Sequence, residues 1–477
     1  MTNDKRTLYW AESAAVLYLV APLFLFFCFY IRPEVGLPGC GFITWCIYSI
    51  WKKTHWSITR TDIKSLWIIL PISIIWLMLA GNFGGLSQNS DWLKHYAVIN
   101  FIADHSPALS DAHNGLFEIL RYYLGWYLIP GLAVKIAGGH GQILFSSLWI
   151  LIGIILFFIL ITRLLGEKIK HAYLIGPIVF ILFSGADIIG YSITHFKIPL
   201  RFHIECWAGW AQYNANTTTL FWAPPHAISA WLGLSILMQQ LKKPVLLPYL
   251  TLICSAILFW SPFVAVGLIP FCLAVMVKSG LKNSIMNWHL PTTVIFISLP
   301  IVAYLMAYTT NIPHGPIWLD PWVWDHAPHF TWPGYILFLL LEIGAPLIIL
   351  FAQKDTRNRF LIIATISLIL IPLYRVGVLN DFAMRASLPA LAFLAIGMAY
   401  IIGSSASPYY LKISVILLLT IGSITPIGEV ARGFFPPILP ANPATTFDMS
   451  FIGSDPPFRL QYFSSQPIPI LRQGTPP

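Results

Sequence analysis

The sequence predicts an all-α fold, a polytopic transmembrane helical bundle of about 13 spans, and three observations carry that expectation. Of the 477 residues, 57% are apolar and only 10% are charged, against about 25% charged in a soluble domain. Apolar runs of 16 to 20 residues recur from end to end, close to the roughly 20 residues a helix needs to cross the hydrocarbon. None shows the strict alternation of a lipid-facing barrel strand. A water-soluble fold is excluded on these grounds.

In order, the spans read as about 13–31, 36–51, 65–81, 144–162, 172–191, 224–240, 246–261, 262–277, 291–308, 333–352, 359–374, 386–403 and 409–427. The first is expected to be a retained anchor, because no small-residue cleavage signature follows it and a second span begins almost at once. The stretch 116–137, LFEILRYYLGWYLIPGLAVKIA, is apolar enough to pass for a span, but it holds Glu118, Arg121 and Lys135 and ends in GGHG. It is expected to be an amphipathic helix lying on the membrane. Charge supports that choice. With the N-terminus inside and 116–137 outside, seventeen of the 28 Lys and Arg lie in short inner segments and 11 in longer outer ones. Counting 116–137 as a span would reverse every later loop, against the positive-inside rule.

The chain then divides into two N-terminal anchor spans at 1–64, a membrane core at 65–427 with outer loops 82–143, 192–223, 309–332 and 375–385, and a Pro-rich outer tail at 428–477. The tail holds too many prolines for regular helix or sheet and is expected to drape over the outer surface. Ten of the 13 histidines fall on or beside that outer face. The net charge of +9 forms no basic stripe with interleaved aromatics, so no nucleic acid is expected as a partner. Five of the six cysteines lie inside apolar runs, which leaves only Cys206 outside and no disulfide framework.

Four constellations hold chemistry. In QNSDWLKHYAVINFIADHSPALSDAHNG, residues 88–115, Asp91, Lys94 and His95 fall on one face of any helix beginning there. A carboxylate beside a cation at the membrane surface suits a general base; the blander alternative is that Asp91 caps the helix and the rest is a solvated face. Asp111 and His113 follow in the same loop. In NTTTLFWAPPHAISAWLG, residues 216–233, Trp222 and His226 stand where an outer loop enters a span, either contacting substrate or, for Trp222, anchoring at the interface. YRVGVLNDFAMRASLPA, residues 374–390, carries Arg375, Asn380, Asp381 and Arg385. A guanidinium fork matches phosphate oxygens, against the alternative of a plain Asp381 to Arg385 helix pair. IPHGPIWLDPWVWDHAPHFTWP, residues 312–333, sets Asp325 and three histidines among tryptophans, which suits a sugar or an interfacial anchor. Its spacing is no zinc signature, so no metal is expected. Asp187 and Glu342 are buried acids expected to face the bundle interior.

A carboxylate in a long first outer loop, followed by the aromatic stretch RYYLGWYLIPGLAVKIAGG and a return span, resembles the GT-C superfamily of membrane glycosyltransferases over roughly residues 65–200. The resemblance implies that Asp91 is the catalytic base, with Asp104 and Asp111 as alternative counterparts. It also implies that Arg385, then Arg375, bind the phosphate of a lipid carrier; Lys94, His95 and Arg121 are further donor-site candidates among the residues themselves. The superfamily's core opens with one helix before that loop, whereas here two extra spans precede it. With no nucleotide-sugar fold and no Gly-rich phosphate loop, the expected donor is a polyprenyl-phosphate-linked sugar, the acceptor a glycan, lipid or protein, and the cofactor none. The expected setting is a bacterial inner membrane with the site on its outer face. An O-antigen polymerase or ligase, or a lipid-linked glycan flippase, are the competing functions.

Overall fold

The computed structural model describes residues 8–56, 58–113, 116–195, 203–242, 247–278, 280, 288–307, 312–319, 328–377, 379–435 and 462–472. Its helices in chain order are α1 (Trp10–Phe29), α2 (Pro33–Trp51), α3 (Arg60–Leu79), α4 (Asp91–His105), α5 (Leu128–Ile136), α6 (Gln142–Gly166), α7 (Ala172–Leu182) and α8 (Asp187–His195). They continue as α9 (Asn216–Trp222), α10 (Pro224–Lys242), α11 (Leu247–Trp260) and α12 (Pro262–Lys278). The last are α13 (His289–Leu305), α14 (Trp332–Ala352), α15 (Arg359–Leu373), α16 (Asp381–Gly403) and α17 (Tyr409–Arg432). Counting α7 and α8 together, seven of these are long and apolar enough to cross a membrane, and α11, α12, α13 and α15 are shorter apolar helices. The protein is thus a mostly helical integral membrane protein.

Helix α10 sits at the centre, packed on α6, α11, α12 and α16, and residues 224–237 are buried on every side. A helix apolar all round needs such a place. Around it the outward faces show exposed apolar side chains, among them Trp67, Ile75, Leu340, Ile348 and Leu417, as a lipid-facing surface requires. The N-terminal pair is part of the same bundle, since α1 packs on α6 and α11 and Trp260 Nε1 donates to the Leu19 carbonyl at 2.9 Å. Asp187 and Glu342 are both buried. Ser184 and Thr425 donate to Asp187, and Trp207 Nε1 donates to Glu342 at 2.7 Å.

Close helix approach places the later site. A Cβ on Gly267 of α12 would overlap the Ala386 carbonyl oxygen, one residue past Arg385. Overpacking of this kind costs roughly 1–3 kcal/mol. Gly267→Val is therefore expected to lower the thermal midpoint of the protein in nanodiscs by several degrees, whereas an unchanged midpoint would show that α12 and α16 do not touch there.

Among the described residues three small sheets tie the bundle's two ends, a departure from a purely helical fold. At one end β1 (Leu8–Tyr9) pairs parallel with β2 (Thr54–His55), Arg163 covers the Tyr9 ring, and Lys168 meets Asp355 at 3.8 Å. At the other, β3 (Ser110–His113) pairs with β4 (Leu116–Leu120), and β4 pairs with the tail strand β7 (Phe463–Ser464). There too β5 (His314–Pro316) pairs with β6 (Tyr374–Val376).

The segment 116–137 differs from the expected continuous surface helix. Its first part is β4, held on both edges by β3 and β7, and only Leu128–Ile136 is helical. Tyr122, Tyr123, Trp126 and Tyr127 between them are buried in the protein instead of lying on the membrane. One of its two strand partners, β7, comes from the distant tail, which local periodicity cannot reveal. The tail strap 462–472 is extended, and Arg472 anchors it on the carbonyls of Cys28 and Ile31.

Candidate functional site

The turn after α3 is fastened by Asn89. Its Oδ1 accepts the Asp91 N–H at 3.0 Å and its Nδ2 donates to the Phe221 carbonyl at 2.7 Å. Trp92 Nε1 donates to the same carbonyl at 2.9 Å. The first turn of α4 is thereby fixed against the end of α9. Asp91 is the first residue of α4 rather than its cap, and its Oδ2 accepts from Lys94 Nζ at 3.0 Å while 38% of the side chain stays open to the cavity described next.

That cavity, of about 1020 Å³, is lined by Asp91, Lys94, Arg121, Trp222, His226, Asp381 and Arg385, seven of the residues nominated from the sequence. They come from four separate segments. Arg385 Nη2 contacts Asp381 Oδ1 at 2.7 Å on the first turn of α16. Arg121 donates through Nη1 to the Ala307 carbonyl at 2.9 Å, and its own N–H is held by the Tyr462 carbonyl. Tyr122, Tyr123 and Tyr462 add hydroxyls, while Leu258, Phe263, Val302, Leu305, Met306 and Leu388 make the wall apolar. Among the described residues the carboxylates in the lining are Asp91 and Asp381.

Electrostatics set their states. Burial alone would push the Asp91 carboxyl up, but the Lys94 ammonium, its hydrogen bond and the nearby Arg385 hold it below the usual carboxylate value. Lys94 is correspondingly held charged: burial works against its ammonium, and Asp91 outweighs that. His95 is buried behind them. Burial, reinforced by Lys94, pushes its imidazole down to about 3, so it is neutral. Its Nε2 faces the Trp222 carbonyl at 2.9 Å, which can only accept, so Nε2 bears the proton and Nδ1 accepts from Tyr127 at 2.8 Å. His95 positions Trp222 and Tyr127 and does not reach the cavity.

The remaining nominated residues lie elsewhere. Arg375 is buried on β6, with Nε donating to the Gly377 carbonyl. Asn380 is buried and donates to the Trp210 carbonyl at 3.0 Å. Asp111 and His113 lie on β3, Asp104 is exposed at the end of α4, and Asp325 falls outside the described residues. Among the described residues no group of three or more His, Cys, Asp or Glu is arranged to hold a metal ion.

A second polar cluster borders the same cavity through His203 and Gln212. His203 Nδ1 contacts Glu429 at 2.9 Å, Arg432 contacts the same carboxylate at 2.9 Å, and Trp222 Nε1 donates to it at 2.8 Å. Glu205 is wholly buried and accepts from the Ala215 N–H, Thr218 and Gln212. The sequence names His203 only as one of many outer histidines, and nothing local links it to Glu429, 226 positions away. Burial pushes the Glu205 carboxyl up to about 8 against the pull of His203. For His203, burial works downward, yet Glu429 and Glu205 raise it above its ordinary value. Both groups bind protons more tightly in the folded state. Their stabilising contribution is full below the unfolded values, 4.5 for Glu205 and 6.5 for His203, and is lost as pH rises, for Glu205 through about 8. The thermal midpoint should fall between pH 5 and pH 8, and Glu205→Gln should flatten that slope; an unaltered slope would remove Glu205 as its source.

The arrangement combines an ionised carboxylate, two pre-paired cations, hydroxyl donors and an apolar wall, which suits an amphiphile with an anionic head. Comparison with known protein families, curated proteins and solved structures finds no match to this chain.

Proposed function

We propose that the protein is a membrane glycosyltransferase of GT-C type, which transfers a sugar from a polyprenyl-phosphate carrier to a glycan, lipid or protein acceptor. The observation that carries this reading is the single cavity in which Asp91, Lys94, Arg121 and Arg385 meet against an apolar wall. The cations suit the carrier's phosphate, the apolar wall its first isoprene units, and the aromatic groups a sugar.

In the proposed reaction the acceptor hydroxyl oxygen attacks the anomeric carbon. Its proton passes to Asp91, the bond from that carbon to the phosphate oxygen breaks, and polyprenyl phosphate leaves with the electron pair, inverting the configuration. Arg385 and Lys94 stabilise the charge that develops on the leaving phosphate. Lys94 has a double part. While it holds Asp91 the carboxylate is a weak base, and a phosphate that draws the ammonium away restores its basicity. The active site is placed at the non-cytoplasmic end of a 13-span bundle with the N-terminus inside, in keeping with the basic residues gathered at the opposite end, and a bacterial inner membrane is the proposed setting.

The test uses sealed proteoliposomes holding purified protein, a lipid-linked glycan acceptor and a radiolabelled polyprenyl-phosphate monosaccharide. The expected result is label moved onto the acceptor. Label that stays lipid-linked but equilibrates between leaflets would replace this reading with a flippase.

A further inference from the structure

Behind the cavity wall runs a chain of neutral hydrogen bonds whose direction can be worked out from its ends. Ser261, between α11 and α12, receives the Val264 N–H at 3.3 Å on its Oγ. The acceptor within reach of its own hydroxyl hydrogen is His226 Nδ1, at 2.6 Å. His226 is buried, with a hydroxyl on each ring nitrogen and no carboxylate on either, so the ring is neutral. If Nδ1 accepts, Nε2 bears the proton and donates to the Tyr123 hydroxyl oxygen at 2.9 Å.

From the other side the Tyr122 hydroxyl donates to the Tyr123 oxygen. Two donors therefore converge on one phenolic oxygen, and among the described residues no hydrogen bond takes the hydrogen of Tyr123 itself. Tyr123 lines the cavity, and Arg385 lies close enough to Tyr122, Tyr123 and Tyr462 to interact with each electrostatically. An unmet buried donor beside a guanidinium is completed by an anionic oxygen.

We propose that Tyr123 is a ligand-binding residue that donates its hydroxyl hydrogen to a phosphate oxygen of the lipid carrier, with His226 and Ser261 as positioning residues that fix its direction. This rests on the lipid-phosphate reading of the cavity and adds a neutral donor to its cations. It also assigns His226 a part that is indirect: both of its nitrogens are used within the wall, so it acts on the ligand through Tyr123.

Two measurements on the full-length protein in nanodiscs separate the chain from its ligand. The first is ¹⁵N NMR of histidine-labelled protein, with the His226 signals assigned by their loss in His226→Gln. The proton is expected on Nε2; a proton on Nδ1 would reverse the chain and overturn the proposal whatever the cavity binds. The second is the affinity for geranyl phosphate against geraniol. Tyr123→Phe is expected to weaken phosphate binding about ten- to a hundredfold, the usual loss for a hydrogen bond to a charged group, and to leave the alcohol unaffected. Ser261→Ala should give a smaller loss that vanishes in the Tyr123→Phe background, the non-additivity of a shared chain. Phosphate affinity unchanged in Tyr123→Phe overturns the proposal and leaves the lipid-phosphate reading standing. If the wild-type protein does not favour the phosphate over the alcohol, that reading falls and this one with it.

Discussion

Asp91→Asn is expected to lower sugar transfer by roughly 10²–10⁴-fold, the share that a positioned base supplies, with little change in the affinity for polyprenyl phosphate. The amide keeps the size and the first-turn position of the carboxylate but cannot take a proton. Within the lining the alternative carboxylate is Asp381, which is bound to Arg385 at 2.7 Å, while Asp104 stands exposed at the far end of α4. Loss of the Asp91 carboxylate leaves the largely buried Lys94 ammonium without its counter-ion, so the thermal midpoint is expected to fall as well. Initial rates taken well below that midpoint, with thermal unfolding followed on the same preparations, separate the kcat loss from the loss of stability. Full transfer activity in Asp91→Asn would mean that another group accepts the proton.

Arg385→Ala is expected to cost roughly 10²–10³-fold in transfer, as for removal of a preorganised donor to a developing oxyanion. Unlike Asp91→Asn, it should also weaken binding of the lipid phosphate. Arg385→Lys should recover only part, since an ammonium lacks the guanidinium's two-pronged geometry. The partner matters too. Without Arg385, Asp381 faces the cavity unpaired and repels the phosphate, so Arg385→Ala with Asp381→Asn is expected to bind the lipid better than Arg385→Ala alone. Steady-state KM and kcat for these three variants and the wild type decide this. If Arg385→Ala left both constants unchanged, the cation would serve only its helix pair.

The parts of this site that share a helix were legible in the sequence. Asp91 and Lys94 are three residues apart on α4, and Asp381 and Arg385 four apart on α16, so spacing alone placed each pair together. The apolar runs likewise marked the helices, because the energetics of lipid are nearly local: each span must satisfy its own backbone and expose apolar side chains. What escaped reading depends on partners far along the chain. The first part of 116–137 is a strand that folds back on 110–113 and takes the tail at 463–464 on its other edge. Arg375 sits at the same kind of loop edge as Arg385, yet pairing with β5 buries it on β6. The His203, Glu205 and Glu429 cluster joins two segments 226 positions apart, and no shared period betrays it. Tyr123 looked like one more interfacial aromatic; only the hydrogen-bond chain through His226 and Ser261 distinguishes it.

The most direct test of the central claim is a structure of the protein with a short-chain polyprenyl phosphate bound. The account predicts the phosphate in the cavity within hydrogen-bond reach of Arg385 and Tyr123, with Lys94 drawn from Asp91 towards it and the isoprene chain along Val302, Leu305 and Met306. A phosphate bound elsewhere, with the Asp91 to Lys94 pair still closed at 3.0 Å and the cavity occupied only by water, would contradict it.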